Sequence, residues 1–240
     1  MRDFCYVVLV SLFLSSCSSV AGLRDKSYTM DNQGLQPIAI ESLTILPIKD
    51  DSAVLGLSEN LEAELSKAFQ VQLPRVKIVS ADSFRARIAE NDLINEYAQW
   101  KSAYDQTKMF SLRPLKKWSQ IVETRYFLMV TKVLLSREKM KAVDTGYSGW
   151  VNDAENVWRT DLKVFAQVID IESGTVTWKG VGHAENVHSP KRIGHNDSWI
   201  TWNAKNPEME QYIRPMVKMA VDGLVMNITS GGNSGIIPRR

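Results

Sequence analysis

The three histidines of the chain, His183, His188 and His195, fall within thirteen residues, beside Glu185 and Asp197. Imidazole and carboxylate gathered in this way suit zinc or another borderline divalent ion. The spacing does not: four and six residues separate successive histidines, which matches no metal signature. Only His183 is expected on a strand, so the set reads as surface groups on a long loop. A metal site in a metal-dependent hydrolase is the distant alternative. Nucleophilic hydrolysis needs a serine on a sharp elbow or an activated thiol. No G-x-S-x-G is present, and Gly146-Tyr147-Ser148-Gly149-Trp150 lacks that pattern. No Walker loop occurs, and Gly180-Val181-Gly182 lacks the third glycine of a dinucleotide fingerprint, so no cofactor is called for. Asp161 and Asp170 fall on or beside a strand and read as ladder or turn residues rather than a catalytic pair. The expectation is a protein that is not an enzyme.

The two cysteines, Cys5 and Cys17, both precede residue 18, so nothing beyond them can form a disulfide or a cysteine metal site. Phe4 to Leu14 reads FCYVVLVSLFL, an apolar run of eleven residues broken only by Ser11. A membrane-spanning helix needs roughly 20 apolar residues, so the run has the length of a signal-peptide core instead. Asp3 offsets Arg2 and leaves its positive end weak. Leu14-Ser15-Ser16-Cys17 resembles the bacterial lipobox. That resemblance implies a diacylglycerol on the Cys17 thiol, cleavage just before it, and acylation of the new amine with a fatty acid such as palmitate. Ser18 stands where an aspartate would resemble an inner-membrane retention signal, which points to the outer membrane with the domain facing the periplasm. Each buried methylene contributes about 0.8 kcal/mol, so a multiply acylated Cys17 holds the chain on a membrane stably.

What the anchor would carry is an ordinary globular domain. Of 240 residues, 44% are hydrophobic and 23% charged, which excludes a disordered chain. The 29 basic residues barely exceed the 27 acidic ones, which argues against nucleic acid as a partner. The expected organisation is a signal peptide over 1–16, a flexible tether over 17–37, an α+β periplasmic domain over 38–229 and a loose tail over 230–240.

Within that domain, Ile38 to Ile48 reads as a first strand, with Pro47 near its end. Ser58 is placed to cap a helix with the stripe Leu61, Leu65, Ala68 and Phe69. Val76 to Val79 is a short strand. Ser80 or Asp82 then caps a helix carrying Phe84 and Ile88. Leu93, Tyr97, Trp100 and Tyr104 mark the next helix, and Leu115, Trp118 and Val122 another, with Pro114 in its first turn. Tyr126 to Leu135 reads as a strand buried on both faces. Alternation from Leu162 to Ile169, a Ser173-Gly174 turn and Val176-Thr177-Trp178 make a hairpin. Met209, Ile213, Met216, Ala220 and Leu224 line a closing helix, with a bend expected at Pro215. This is a single mixed domain.

The strand–helix–strand opening and Asp161-Leu162 … Ala166-Gln167-Val168-Ile169-Asp170 … Ser173-Gly174 … Trp178 resemble a superfamily of periplasmic lipoproteins. It contains the curli-secretion channel subunit, penicillin-binding-protein activator lipoproteins and the TolB amino-terminal domain. The resemblance implies a fold in which an acidic turn joins two core antiparallel strands packed by helices. It also implies a function of binding, bracing or transport. A pore of the curli kind needs membrane hairpins with about ten residues of alternation per strand. The two segments available, Glu138–Asn156 and Glu185–Asn206, are polar and aperiodic. Trp150, Trp199 and Trp202 are embedded in them and are the candidate partner-binding residues, because exposed tryptophan is favoured at binding hot spots. Trp100, Trp118 and Trp178 fall on apolar faces and read as core.

The sequence thus anticipates a membrane-anchored envelope lipoprotein that binds or assembles an envelope protein partner without catalysis. The alternative is an oligomeric secretion or pore subunit. Cys17→Ala should abolish labelling by a palmitate analogue and leave a precursor about 16 residues longer. Equal labelling of wild type and variant would remove the anchor.

Overall fold

The computed structural model describes residues 22–32, 41–49, 57–139, 158–188 and 207–230. Seven strands among these residues form one mixed sheet. They are β1 (Gly22–Asp25), β2 (Tyr28–Asn32), β3 (Ser42–Ile45), β4 (Lys77–Val79), β5 (Tyr126–Lys139), β6 (Trp158–Asp170) and β7 (Thr175–His188). The helices are α1 (Leu57–Gln72), α2 (Ala81–Glu90), α3 (Ile94–Thr107), α4 (Leu112–Val122) and α5 (Pro207–Thr229). The sheet order is β1-β7-β6-β5-β3-β4, with β2 also on β7. The α+β class and single mixed domain expected from the sequence are what the chain adopts.

The short parallel strand β3 lies between β4 and β5, and both neighbours run parallel to it. The connection β3–α1–β4 steps one way across the sheet, and β4–α2–α3–α4–β5 steps back. Crossovers keep one hand, so opposite steps require helices on opposite faces. The core divides accordingly. On one face, Leu61, Leu65 and Phe69 of α1 join Ala220, Leu224 and Ile228 of α5 over Leu128, Val164 and Trp178. On the other, Phe84, Trp100 and Trp118 pack over Phe127, Met129 and Ile169. Phe84, Tyr97, Trp100 and Trp118 meet mostly edge to face, with centroids 5.3–6.0 Å apart for Phe84–Trp118, Tyr97–Trp118 and Trp100–Trp118.

Local chemistry sets the helix ends. Ser80 caps α2, its Oγ accepting the Ser83 N–H at 3.2 Å. Ser111 takes the cap position of α4 and leaves Pro114 in the first turn, where no backbone donor is lost. Ser58, expected as a cap, lies inside the first turn of α1 and is buried, because the apolar stripe already begins at Leu57. Glu62 joins three segments. Its carboxylate accepts the Ile48 N–H at 2.7 Å, and Arg85 of α2 donates to both its oxygens at 2.7 Å.

Several expectations are corrected by the sheet. Residues 22–32, assigned to a tether, form β1 and β2 on the outer edge of β7. Glu138 belongs to β5, and Glu185 to His188 belong to β7, so both polar segments begin later than their composition indicates. Tyr126 to Val130 is buried on both faces, but beyond an irregularity between Val130 and Lys132 alternate side chains of β5 reach solvent. The reason is that α2–α4 stop there.

At the opposite end the hairpin turn is stapled. Arg125 donates to both oxygens of Asp170, at 3.0 and 2.8 Å, and the Glu172 N–H donates to Asp170 Oδ1 at 3.0 Å. Gly174 completes the turn at φ 71°, a conformation suited to glycine. Burial pushes the Asp170 carboxyl up, but the bonds from Arg125 and the Glu172 amide outweigh it and hold it below the usual carboxylate range. A depressed folded value contributes stability that is present above the unfolded value of about 3.9 and lost as pH falls through the folded one. Asp170→Asn should therefore lower stability at pH 7 and flatten the acid limb below about pH 4, read by urea unfolding from pH 2 to 7. An unchanged acid limb would show that the staple carries no such linkage.

Candidate functional site

β5, β6 and β7 are each 13 or 14 residues long, far longer than β3 or β4, and they run past the helices of one face. The side of this extension that faces α1 and α5 is filled by Leu162, Val164, Ala184 and their neighbours. Its other side carries four cross-strand rows. Register aligns Tyr28, Val181, Phe165 and Lys132, and then His183, Lys163 and Leu134. Beyond them come Arg24, Glu185, Asp161 and Ser136, followed by Val187, Arg159 and Glu138. Tyr104 of α3 reaches only as far as Gln167. Among the described residues, no helix packs on these four rows.

Period 2 explains why this face is polar. Leu162, Val164 and Ala166 point to α5, so Asp161, Lys163 and Phe165 must point away from it. In β7, Gly182 and Ala184 point to α5, which turns His183 and Glu185 to the other side. There they are buried along with Val181 and Val187, while Lys132, Leu134 and Ser136 of β5 are exposed. His183 Nε2 lies 2.9 Å from Asp161 Oδ1, a diagonal contact across β6 and β7. Glu185, with its side chain 5% exposed, accepts Lys26 Nζ at 2.7 Å and has Arg159 at 3.9 Å. Arg159 also meets Glu138 at 3.0 Å. The buried Glu185 is thus matched by cations, as burial requires, while half-buried Asp161 has the His183 imidazole and exposed Glu138 has Arg159.

His183 is a hub rather than a loop residue. Its carbonyl accepts the Lys26 N–H at 2.7 Å and its own N–H donates to Ser27 Oγ at 2.9 Å. Its backbone therefore holds the corner between β1 and β2, while its ring holds Asp161. The surface-loop reading is corrected for His183, which is buried, and His188 closes β7. His195 lies outside the described residues, as do Cys17, Trp150, Trp199 and Trp202. Trp100, Trp118 and Trp178 are core, as their faces predict.

Serine, histidine and aspartate come together here without forming a hydrolytic triad. Ser27 packs on the α5 side, where a Cβ at Gly223 would collide with its Oγ. The His183 ring lies on the other side of the sheet. Only the His183 backbone meets Ser27, so no base reaches that hydroxyl. Among the described residues no cluster of three or more histidine, cysteine or acidic side chains could hold a metal ion. Lys101 is the other group of chemical interest. Burial lowers its ammonium against the pull of Asp105 at 3.6 Å, and Lys108 and Lys49 add repulsion. It lies on α3 beside the Tyr104 ring, with no bond to the histidine pair.

Sequence reasoning missed Arg24, Lys26 and Ser27. Their segment, GLRDKSYTMDN, has no apolar period, and its pairing rests on main-chain bonds to β7 that composition does not reveal. His183→Ala should cost about 2 kcal/mol, since it leaves half-buried Asp161 without its partner and opens a gap where the buried ring sat. At this chain length that lowers the melting temperature by about 4–8 °C. Saturating zinc should leave the wild-type midpoint in place, because a filled native-state site would raise it. A zinc-dependent rise that His183→Ala abolishes would restore the metal reading.

No protein-family model matches the chain, and no curated protein matches it. Among solved structures the chain is similar to the PelC dodecamer from Paraburkholderia phytofirmans, at 8% identity and TM-score 0.40, with 83% of this chain and 97% of that one covered. It is similar to the hypothetical protein CT253 from Chlamydia trachomatis at 11% identity and TM-score 0.37, with 80% and 99% covered.

Proposed function

We propose that this chain is an envelope lipoprotein, anchored by lipid on Cys17, that acts as a non-catalytic protein-binding or assembly module. The observation that carries the reading is the extension of β5, β6 and β7 beyond the helices. A sheet that ran only as far as its helices could be all core. This one continues for several rows and leaves one side uncovered by any described helix. The chain leaves β5 at Lys139 and β7 at His188, both at the tip of that extension, and the candidate partner-binding residues Trp150, Trp199 and Trp202 follow in sequence.

The electrostatics favour binding over chemistry. Asp161 and Glu185 are matched by His183 and Lys26, and Ser27 lies across the sheet from the imidazole. Such pairs fix a surface rather than hold a reactive group ready. No described helix is long and apolar enough to cross a membrane, and the attachment proposed is the lipid on Cys17.

The second reading, an oligomeric secretion or pore subunit, makes a different forecast. Lys132, Lys163 and Arg159 would have to leave the lipid-facing side of any membrane hairpin built on β5 and β6. Trp199→Ala with Trp202→Ala should leave the melting temperature within about 2 °C. It should weaken capture of the envelope protein partner by roughly thirtyfold or more, the cost of truncating a hot-spot tryptophan. Unchanged capture would remove these two residues from the interface. Conductance of the purified protein in planar bilayers would favour the pore subunit instead.

A further inference from the structure

We propose that the open face of β5, β6 and β7 docks on an anionic lipid surface, an inference that rests on the anchored reading of Cys17. The carboxylates of this face are already engaged: Glu185 by Lys26, Glu138 by Arg159, and Asp161 by His183. Three lysines of the face are not. Lys132, Lys163 and Lys179 have no ion-pair partner among the described side chains. Register places them around one aromatic residue, Phe165. Lys132 stands opposite it on β5, and Lys163 lies two positions along β6. Lys179 stands opposite Gln167, two positions along β6 the other way, with Asp31 as its own neighbour in β2. Tyr28 and Leu134, 47% and 39% exposed, flank Phe165 and Lys163. A chain with a net charge of only +2 therefore gathers ammonium groups without an ion pair among the described side chains, and apolar side chains, on the one side no described helix covers.

The position of the anchor selects lipid as the occupant. β1 begins at Gly22, opposite Val187, at the tip of the extension. Five peptide steps separate Gly22 from Cys17, a reach of about 17 Å when fully extended. Lipid on Cys17 would therefore keep the start of this face within about two Debye lengths of the bilayer at physiological salt. So tethered, the face can turn onto the bilayer and bring its lysines within one Debye length, where anionic headgroups attract them, while Tyr28, Phe165 and Leu134 supply the apolar contact that favours the interfacial region. Docking would hold the module in one orientation, with α1 and α5 turned away from the lipid.

The test is acetylation of the lipidated full chain by an amine-reactive ester, read lysine by lysine by mass spectrometry. The chain is reconstituted in vesicles of phosphatidylcholine alone or with 30–40% phosphatidylglycerol (about that range suffices for a strong surface potential). Lys132, Lys163 and Lys179 should react at least about fivefold more slowly in the anionic vesicles, since roughly 1 kcal/mol per lysine near the surface corresponds to that factor. High salt should abolish the difference, and Lys67 on α1 and Lys116 on α4 should react alike in both. Equal rates in the two lipids, with the chain retained by both vesicles, would overturn the docking and leave the anchor intact. A chain released from both vesicle types would overturn the anchor and the docking together. Protection found only in native envelopes would overturn lipid in favour of an acidic protein.

Discussion

The close approach of α5 to β7 governs the rest of the molecule. A Cβ at Gly182 would collide with the Ala220 carbonyl, so helix and strand meet at a distance that only glycine permits. Gly223 does the same on the helix side, where the corner between β1 and β2 presses Ser27 against it. This contact fixes which side of β7 is core. Because side chains alternate, it also fixes which side is not: with Gly182 and Ala184 turned to α5, His183 and Glu185 have no choice of face. A slip of one residue would bury two ionisable groups against the helix and expose the apolar stripe.

From that constraint the polar side acquires its pattern. Glu185 and Asp161 are held near strands that leave them little water, and each is met by a cation or an imidazole. The matching comes partly from the segment before residue 33, which lends Lys26 and Ser27 to β7. The amino-terminal segment is thus part of the sheet, and its start ties the tip of the extension to whatever holds the residues before it. Pairing β1 and β2 on β7 also covers an edge that would otherwise offer a long row of unpaired backbone groups.

Much of this was legible in the sequence, and the parts that were not share a physical cause. The helices of the first half announced themselves through Phe84, Trp100 and Trp118 at helical spacing, and the hairpin through alternation and Ser173-Gly174. Periodicity reports burial, so it failed where burial was one-sided or absent. β1 and β2 bury little beyond Leu23, and β5 past Val130 loses its cover on one side. The histidines show the same limit. The sequence places His183 on a strand but does not show its burial, which depends on the Asp161 contact and on the Lys26–Ser27 corner rather than on spacing. The Asp161 contact depends on register between two strands, which a single sequence does not state.

The combined picture is a sheet face whose buried Glu185 is paired with Lys26 and whose Lys132 and Lys163 have no ion pair among the described side chains, and the proposal is that a lipid-tethered domain presents it for contact rather than reaction. Site-specific photo-crosslinking from Leu134, on the open side of β5, tests that most directly in intact cells. The account predicts a discrete adduct with another envelope component, protein or lipid, while a crosslinker at Val164 on the α5 side gives only adducts within the chain. Intramolecular adducts alone from position 134 would show that the chain covers this face itself, and would contradict the account.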